Sequence, residues 1–301
     1  MNGTNDMLLV LVVYITTFVT GFPMNILALC TFISKIREKP LTIDILLMNL
    51  TVSDLLLLLF LPFRMNEAAS EFKWCLPYFL CPLTAFIFYS SIYISILFLT
   101  AVSVDRFISV AYPMEYKAKM KPVYAIMASV FFWIVTYAHC SLIYVADYNG
   151  PVNKSNNICY DEFSEQQLNI VLPLRLEMFV LLFCIPLIIT TFAYSKFIRI
   201  LKSLPQTNKE KKKRAIVLVM VTLTVYVVCF APYNISHVYG FKQHQSPHWR
   251  KYVLLLSTVN TALDPIIFYF SSTTVKKSFR HIFGGIVGGI SSLWMCKKGS
   301  S

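Results

Sequence analysis

Two arginines carry the most pointed chemistry in this chain: Arg175 in Leu172-Pro-Leu-Arg-Leu-Glu177 and Arg250 in Ser246-Pro-His-Trp-Arg250. Both stand in or beside long apolar runs, where a fixed charge is expensive and marks function by default. His139 and His237 lie at comparable depth, with Tyr89, Tyr93 and Tyr233 placed to line the same space. Two guanidinium groups in one cavity repel each other unless an anion sits between them. The planar fork of arginine fits a carboxylate, and each charge-assisted hydrogen bond contributes about 1.5–3 kcal/mol. A plainer reading uses the same residues. Arg175 can pair with Glu177, Asp161 or Glu162, and Arg250 can extend along its apolar stem to the lipid headgroups.

Other chemistries have less support. No Ser/His/Asp set, His-Glu-x-x-His or Gly-x-Ser-x-Gly pattern falls in an apolar run, so an intramembrane enzyme is not expected. His244 and His248 read as solvated loop histidines rather than metal ligands. The net charge of +12 raises the question of a nucleic-acid partner. Lys and Arg lie in short runs between apolar stretches, however, without the aromatic-interleaved basic face such binding uses. No nucleic acid is expected.

The elements that must position these side chains are membrane helices. Of the 301 residues, 56% are hydrophobic and only 14% charged, against roughly 25% charged in soluble domains. Apolar runs fall near 7–34, 42–65, 78–110, 122–145, 168–201, 214–240 and 248–271. A bilayer core of about 30 Å takes roughly 20 such residues per helix, and in lipid each helix must satisfy its own backbone hydrogen bonds. The expected fold is an all-α bundle of seven transmembrane helices over 7–272, with 1–6 an extracellular N-terminus and 273–301 a cytoplasmic tail. Pro62, Pro186, Pro232 and Pro265 are expected to interrupt or kink their helices.

Twenty of the 27 Lys and Arg collect on one side of this alternation, which sets the N-terminus outside and the C-terminus inside. Met1–Asp6 lacks a cleavable signal pattern, so the first span would act as its own targeting signal to the cell membrane. Asn2 and Asn153 head sequons on the outer side and are the expected glycan acceptors; those at Asn49 and Asn234 fall inside spans and read as chance. Val275–Gly284 is a short basic amphipathic stretch suited to the inner leaflet and its lipids. Cys296 beyond it reads equally as a palmitoylation site or a free thiol.

Read together, the polar residues within the spans resemble the rhodopsin-like G-protein-coupled receptor family over essentially the whole chain. The matches are Gly21-Phe-Pro-Met-Asn25, Asn49-Leu-Thr-Val-Ser-Asp54, Asp105-Arg106-Phe107, Trp133, Pro186 with Tyr194, Cys229-Phe230-Ala231-Pro232, and Asn260 with Asp264-Pro265-Ile-Ile-Phe268. Phe107, Phe230 and Phe268 depart from the family's usual Tyr, Trp and Tyr. The resemblance implies that Asp54, Ser95, Asn260 and Asp264 form a cavity for an allosteric sodium ion; a hydrated network without an ion is the other reading. No further cofactor is expected. It implies that Asp105, Arg106 and Tyr194 serve coupling to heterotrimeric G proteins, with arrestin as a further partner. It also implies a disulfide between Cys81 and Cys159, for which Cys75 is a competitor; Cys30, Cys140, Cys184 and Cys229 are core fillers.

A narrower set of stretches is similar to the short-chain free fatty acid receptors. It comprises Leu61-Pro-Phe-Arg-Met-Asn-Glu-Ala-Ala69, Phe88-Tyr-Ser-Ser-Ile-Tyr93, Ala138-His-Cys140, Leu172–Glu177, Pro232-Tyr-Asn-Ile-Ser-His237 and Ser246–Arg250. This resemblance implies that Arg175 and Arg250 grip the carboxylate of acetate, propionate or butyrate. His237, Tyr89 and His139 would support it or limit chain length, and Asp161 would pair with an arginine in the empty receptor. It leaves the G-protein class between inhibitory and phospholipase-linked. The competing readings are a receptor for another small monocarboxylate, such as a hydroxycarboxylic acid, and a carboxylate transporter. Transporters commonly carry internal repeats, and none is visible here.

Overall fold

The computed structural model describes residues 3–148, 159, 165–203, 209–271 and 275–276. Helices dominate them: α1 Gly3–Glu38, α2 Thr42–Ala69, α3 Leu80–Ala111, the short α4 Pro113–Lys119, and α5 Pro122–Tyr148. Next comes α6, Glu165–Ser203; α7 then runs from Lys209 to Gln243, and α8 is Arg250–Ser271. All but α4 are long and apolar enough to cross a membrane, seven in number. The first helix begins at Gly3 rather than after residue 6, so the polar opening of the chain supplies its first turn.

α3 is the axis of the bundle. It packs against α2, α5 and α6, while α1 lies between α2 and α8. Its buried residues run its whole length, from Cys81 to Asp105, whereas α5 turns Met127, Phe131 and Ile134 outward. Such apolar exposure is what a lipid-facing helix requires and what a soluble one avoids.

Two prolines act in a more specific way than simple kinking. α6 widens into a π-helical segment at Phe179–Cys184, two residues before Pro186. In α7 the same widening spans Val225–Phe230, two residues before Pro232. Proline offers no N–H and crowds the carbonyl a turn upstream; a π-turn absorbs that mismatch. Pro23, Pro62 and Pro265 stay within α-helix.

Polar side chains then pin the helices to one another. Asn25 donates to the carbonyls of Gly21 (2.9 Å) and Thr261 (2.8 Å), tying α1 to α8. Trp133 donates to Asn49 at 3.0 Å, joining α5 to α2. At mid-bundle the Tyr226 hydroxyl, inside the π-segment of α7, donates to the Ile96 carbonyl of α3 at 2.7 Å. Thr100 bonds the same hydroxyl, and Thr190 of α6 reaches Thr100 at 3.1 Å. This knot across α3, α6 and α7 is buried throughout. At one end of the bundle Cys81 and Cys159 form the disulfide, while Cys75 is free and exposed. The amphipathic stretch 275–284 lies almost wholly outside the described residues, as do Asn2, Asn153, Asp161, Glu162 and Cys296.

Candidate ligand site

The halves of α3, α6, α7 and α8 on the disulfide side of the bundle bring most of the singled-out residues into one cluster. Arg175 comes from the N-terminal third of α6 and Arg250 from the first turn of α8; they are only 3% and 6% exposed. The two guanidinium groups lie close enough to repel. Arg175 reaches Ser246 at 3.4 Å. Arg250 donates to the Tyr233 hydroxyl at 2.8 Å and approaches His237 Nδ1 at 3.4 Å. Its guanidinium also lies 5.0 Å from the ring centre of Tyr233 and 5.8 Å from that of Tyr89, two rings that stack on each other. His237 Nε2 meets the Tyr93 hydroxyl at 2.9 Å.

This geometry replaces the plainer reading for Arg250 and, for Arg175, the pairing with Glu177; Asp161 and Glu162 lie outside the described residues. Arg250 is packed between aromatic rings rather than extended to the headgroups. Glu177 is engaged by His139, at 3.5 Å, and not by Arg175. His139 therefore stands apart from the cluster on the seam of α5 and α6, its Nδ1 2.8 Å from the Val135 carbonyl. Helical periodicity explains the separation: Arg175 and Glu177 are two residues apart and so face different sides of α6.

The cluster can do one thing well. Two buried cations, two phenols and an imidazole from four helices meet in a common region, and a small anion would lower the repulsion between the cations. Among the described residues no acid, base and nucleophile are lined up there for covalent work. Beside the cluster, a cavity of about 60 Å³ touches Tyr89 and Arg250 but also Arg64, Glu67 and Lys251. Sequence reasoning passed over Ser246 as a partner, and over the 2.7 Å ion pair between Arg64 and Glu67. The latter had a signal: two opposite charges three residues apart within an otherwise apolar span.

Deeper in the bundle, away from the disulfide, Asp54, Ser95, Asn260 and Asp264 are all buried. Asn260 donates to Asp264 Oδ2 at 2.9 Å. By geometry, both Asp54 oxygens, Asp264 Oδ1 and Asn260 Oδ1 find no hydrogen-bond partner among the described residues, although the Asp54 and Asp264 carboxyl groups lie close enough to interact with each other. Orphaned, buried oxygens of this kind suit a hard cation. At the inner end, Asp105 accepts a 2.8 Å hydrogen bond from Tyr116 of α4. Burial, then the Asp105 charge, pushes the Tyr116 phenol above its ordinary range. Tyr194 donates to Thr222 at 3.2 Å, linking α6 to α7.

A seven-helix bundle with this polar spine, a buried two-arginine cluster toward one end and an Asp-Arg pair toward the other has the frame of a transmembrane receptor, and the chain belongs to the rhodopsin family of 7-transmembrane receptors, whose profile matches residues 24–268. Within that family it is similar to the free fatty acid receptors. It is 48% identical to mouse (Mus musculus) free fatty acid receptor 3, over 91% of this chain and 86% of the relative. The human (Homo sapiens) receptor 3 is 47% identical over 92% and 80%, and human receptor 2 is 44% identical over 90% and 84%. The chain is accordingly a multi-pass protein of the cell membrane and a receptor, not an enzyme.

The hydrogen bonds also fix a tautomer. An arginine can only donate, so His237 Nδ1 accepts from Arg250 and the ring proton resides on Nε2, facing Tyr93. Nitrogen-15 NMR of histidine-labelled receptor at neutral pH is expected to show His237 as the Nε2–H form; a dominant Nδ1–H form would rule out this hydrogen-bond order.

Proposed function

We propose that this chain is a cell-surface receptor for short-chain carboxylates, acetate to butyrate, that signals through heterotrimeric G proteins. The single observation that carries the reading is the pair of buried, mutually repelling guanidinium groups of Arg175 and Arg250, set in a chain that resembles free fatty acid receptors along nine-tenths of its length. The carboxylate lies between the two arginines. Tyr233, His237 and Tyr93 form the hydrogen-bonded chain behind Arg250, and Tyr89 walls the cluster; His139 acts through Glu177 and the α5–α6 seam. The N-terminus is extracellular, in keeping with the basic residues massed at the opposite ends of the helices.

Magnitudes agree with this ligand class. Acetate has four heavy atoms, and the best small ligands gain about 1.5 kcal/mol per atom, so about −6 kcal/mol is the ceiling. The dissociation constant is then on the order of 10⁻⁵ to 10⁻⁴ M at best. Such a receptor senses an abundant metabolite. A hydroxycarboxylic acid would need an extra donor or acceptor for its hydroxyl, and a ligand series separates the two readings.

Activation runs from the cluster to the inner face. Neutralising Arg175 and Arg250 draws the outer ends of α6, α7 and α8 together. The widened turns before Pro186 and Pro232 let the lower halves of α6 and α7 move. The Tyr226 knot must open as α7 leaves α3. Arg106, Tyr194 and the basic start of α7 then receive the G protein, inhibitory or phospholipase-linked, and arrestin after it. Asp54, Asp264, Asn260 and Ser95 would hold a sodium ion that favours the resting state, supplying the positive charge their orphaned oxygens lack.

Three measurements test the scheme in cells with a G-protein readout. Arg175→Ala and Arg250→Ala are each expected to lower propionate potency at least about ten-fold at equal surface expression, from the loss of one charge-assisted contact. Uncharged amides that activate as well as the acids would defeat the ligand assignment. Replacing potassium by sodium should lower agonist potency for wild type and leave Asp54→Asn unmoved; an equal sodium effect in both removes the ion from the scheme. Tyr226→Phe should raise ligand-free signalling roughly five-fold, because an interhelical bond in a membrane protein is worth about 1 kcal/mol. Unchanged basal activity would mean the knot does not hold the resting state.

A further inference from the structure

The connection 244–249 between α7 and α8 touches both cations of the arginine cluster. Ser246 Oγ accepts from Arg175 Nη1 at 3.4 Å, and the Pro247 carbonyl accepts the backbone N–H of Arg250 at 3.0 Å. Two neighbouring residues of one turn thus meet the side chain of one arginine and the backbone of the other. Pro247 is buried and Ser246 half-buried, while His244 and Gln245 before them are exposed. The turn therefore dips inward where it meets the arginines.

A glycine makes that inward path possible. α7 stops at His244, whose φ of 51° turns the chain back, and the Gln245 N–H donates to the Gly240 carbonyl at 3.3 Å. A Cβ on Gly240 would stand 3.1 Å from the Gln245 carbonyl oxygen and 3.5 Å from Leu172 Cδ2. The first distance is closer than the roughly 3.3 Å at which carbon and oxygen ordinarily meet. The obstructing atom is backbone, so the turn itself would have to yield by a few tenths of an ångström. Leu172 lies one helical turn before Arg175, on the same face of α6. Gly240 is thus the point where the turn and the Arg175 stretch of α6 both close on α7.

We infer that this turn positions the carboxylate site: Ser246 orients Arg175, and the close approach at Gly240 sets how far Arg175 stands from Arg250. Both are positioning residues that act through the arginines. The inference rests on the carboxylate reading of the two arginines; the contacts of the turn do not. A long arginine side chain has many rotamers, and ordering one costs entropy that a pre-placed partner has already met. A two-cation grip must be held to within about 0.5 Å to work. A shift of a few tenths of an ångström forced at Gly240 takes up most of that tolerance.

Two measurements on the full-length receptor test this together. In cells with a G-protein readout and equal surface expression, Ser246→Ala and Gly240→Ala are each expected to lower propionate potency about three- to ten-fold with the maximal response kept, the scale of one weakened hydrogen bond. Ser246→Thr keeps the hydroxyl and should restore most of the loss. For purified, ligand-free receptor, the melting-temperature changes of Ser246→Ala and Arg175→Ala should be non-additive in the double mutant, because the two side chains share one contact. Full additivity there overturns the inference. So does wild-type propionate potency in both Ser246→Ala and Gly240→Ala while Arg175→Ala is impaired. Failure of the underlying carboxylate reading looks different: Arg175→Ala itself then responds to propionate as wild type does.

Discussion

Arg250 is the residue on which the outer half of this receptor turns. Its guanidinium sits at the first turn of α8, donates to Tyr233 of α7, approaches His237 of the same helix, and lies over the ring of Tyr89 on α3. Inside a membrane protein such a charge cannot be left to solvent, so three helices are arranged around it. The aromatic rings screen it without neutralising it. The second buried cation, Arg175, lies close enough to repel it. A small negative guest is the physical complement of this arrangement.

The inner half solves a different problem, that of holding a bundle together without a hydrophobic effect between helices. Lipid tails are as apolar as leucine, so close packing and interhelical hydrogen bonds do the joining. Asn25 to Thr261, Trp133 to Asn49 and Tyr226 to Ile96 each cross between helices at buried positions. These contacts are few and discrete, which lets the bundle have two arrangements instead of a continuum. The widened turns beside Pro186 and Pro232 sit next to the Tyr226 knot, so the most deformable backbone adjoins the bond that restrains it.

Much of this was legible in the linear chain because membranes impose long-range order on local composition. Seven apolar runs bounded by basic clusters leave little choice of fold, and a run of about 20 apolar residues has one stable form in lipid. Arg175 and Arg250 stood out for the same reason: a fixed charge in an apolar neighbourhood is conspicuous in sequence. Three features were not legible. Tyr226 looks like ordinary filling until α3 is seen to present the Ile96 carbonyl to it. The π-turns need coordinates, since proline announces only that something must yield. His139 and Glu177 lie on separate spans, and periodicity cannot say that they meet.

The sequence by itself determined the class of molecule and the number of spans, because each depends on composition within one helix and its energy in lipid. Only the tertiary structure decided which charges confront one another. Arg175 faces Arg250 and not Glu177; Glu67 takes Arg64; Asp54 faces Asp264 across two helices. Those pairings depend on how far each helix is rotated about its axis, and rotation is fixed by side-chain packing between helices distant in sequence, a quantity no single segment contains.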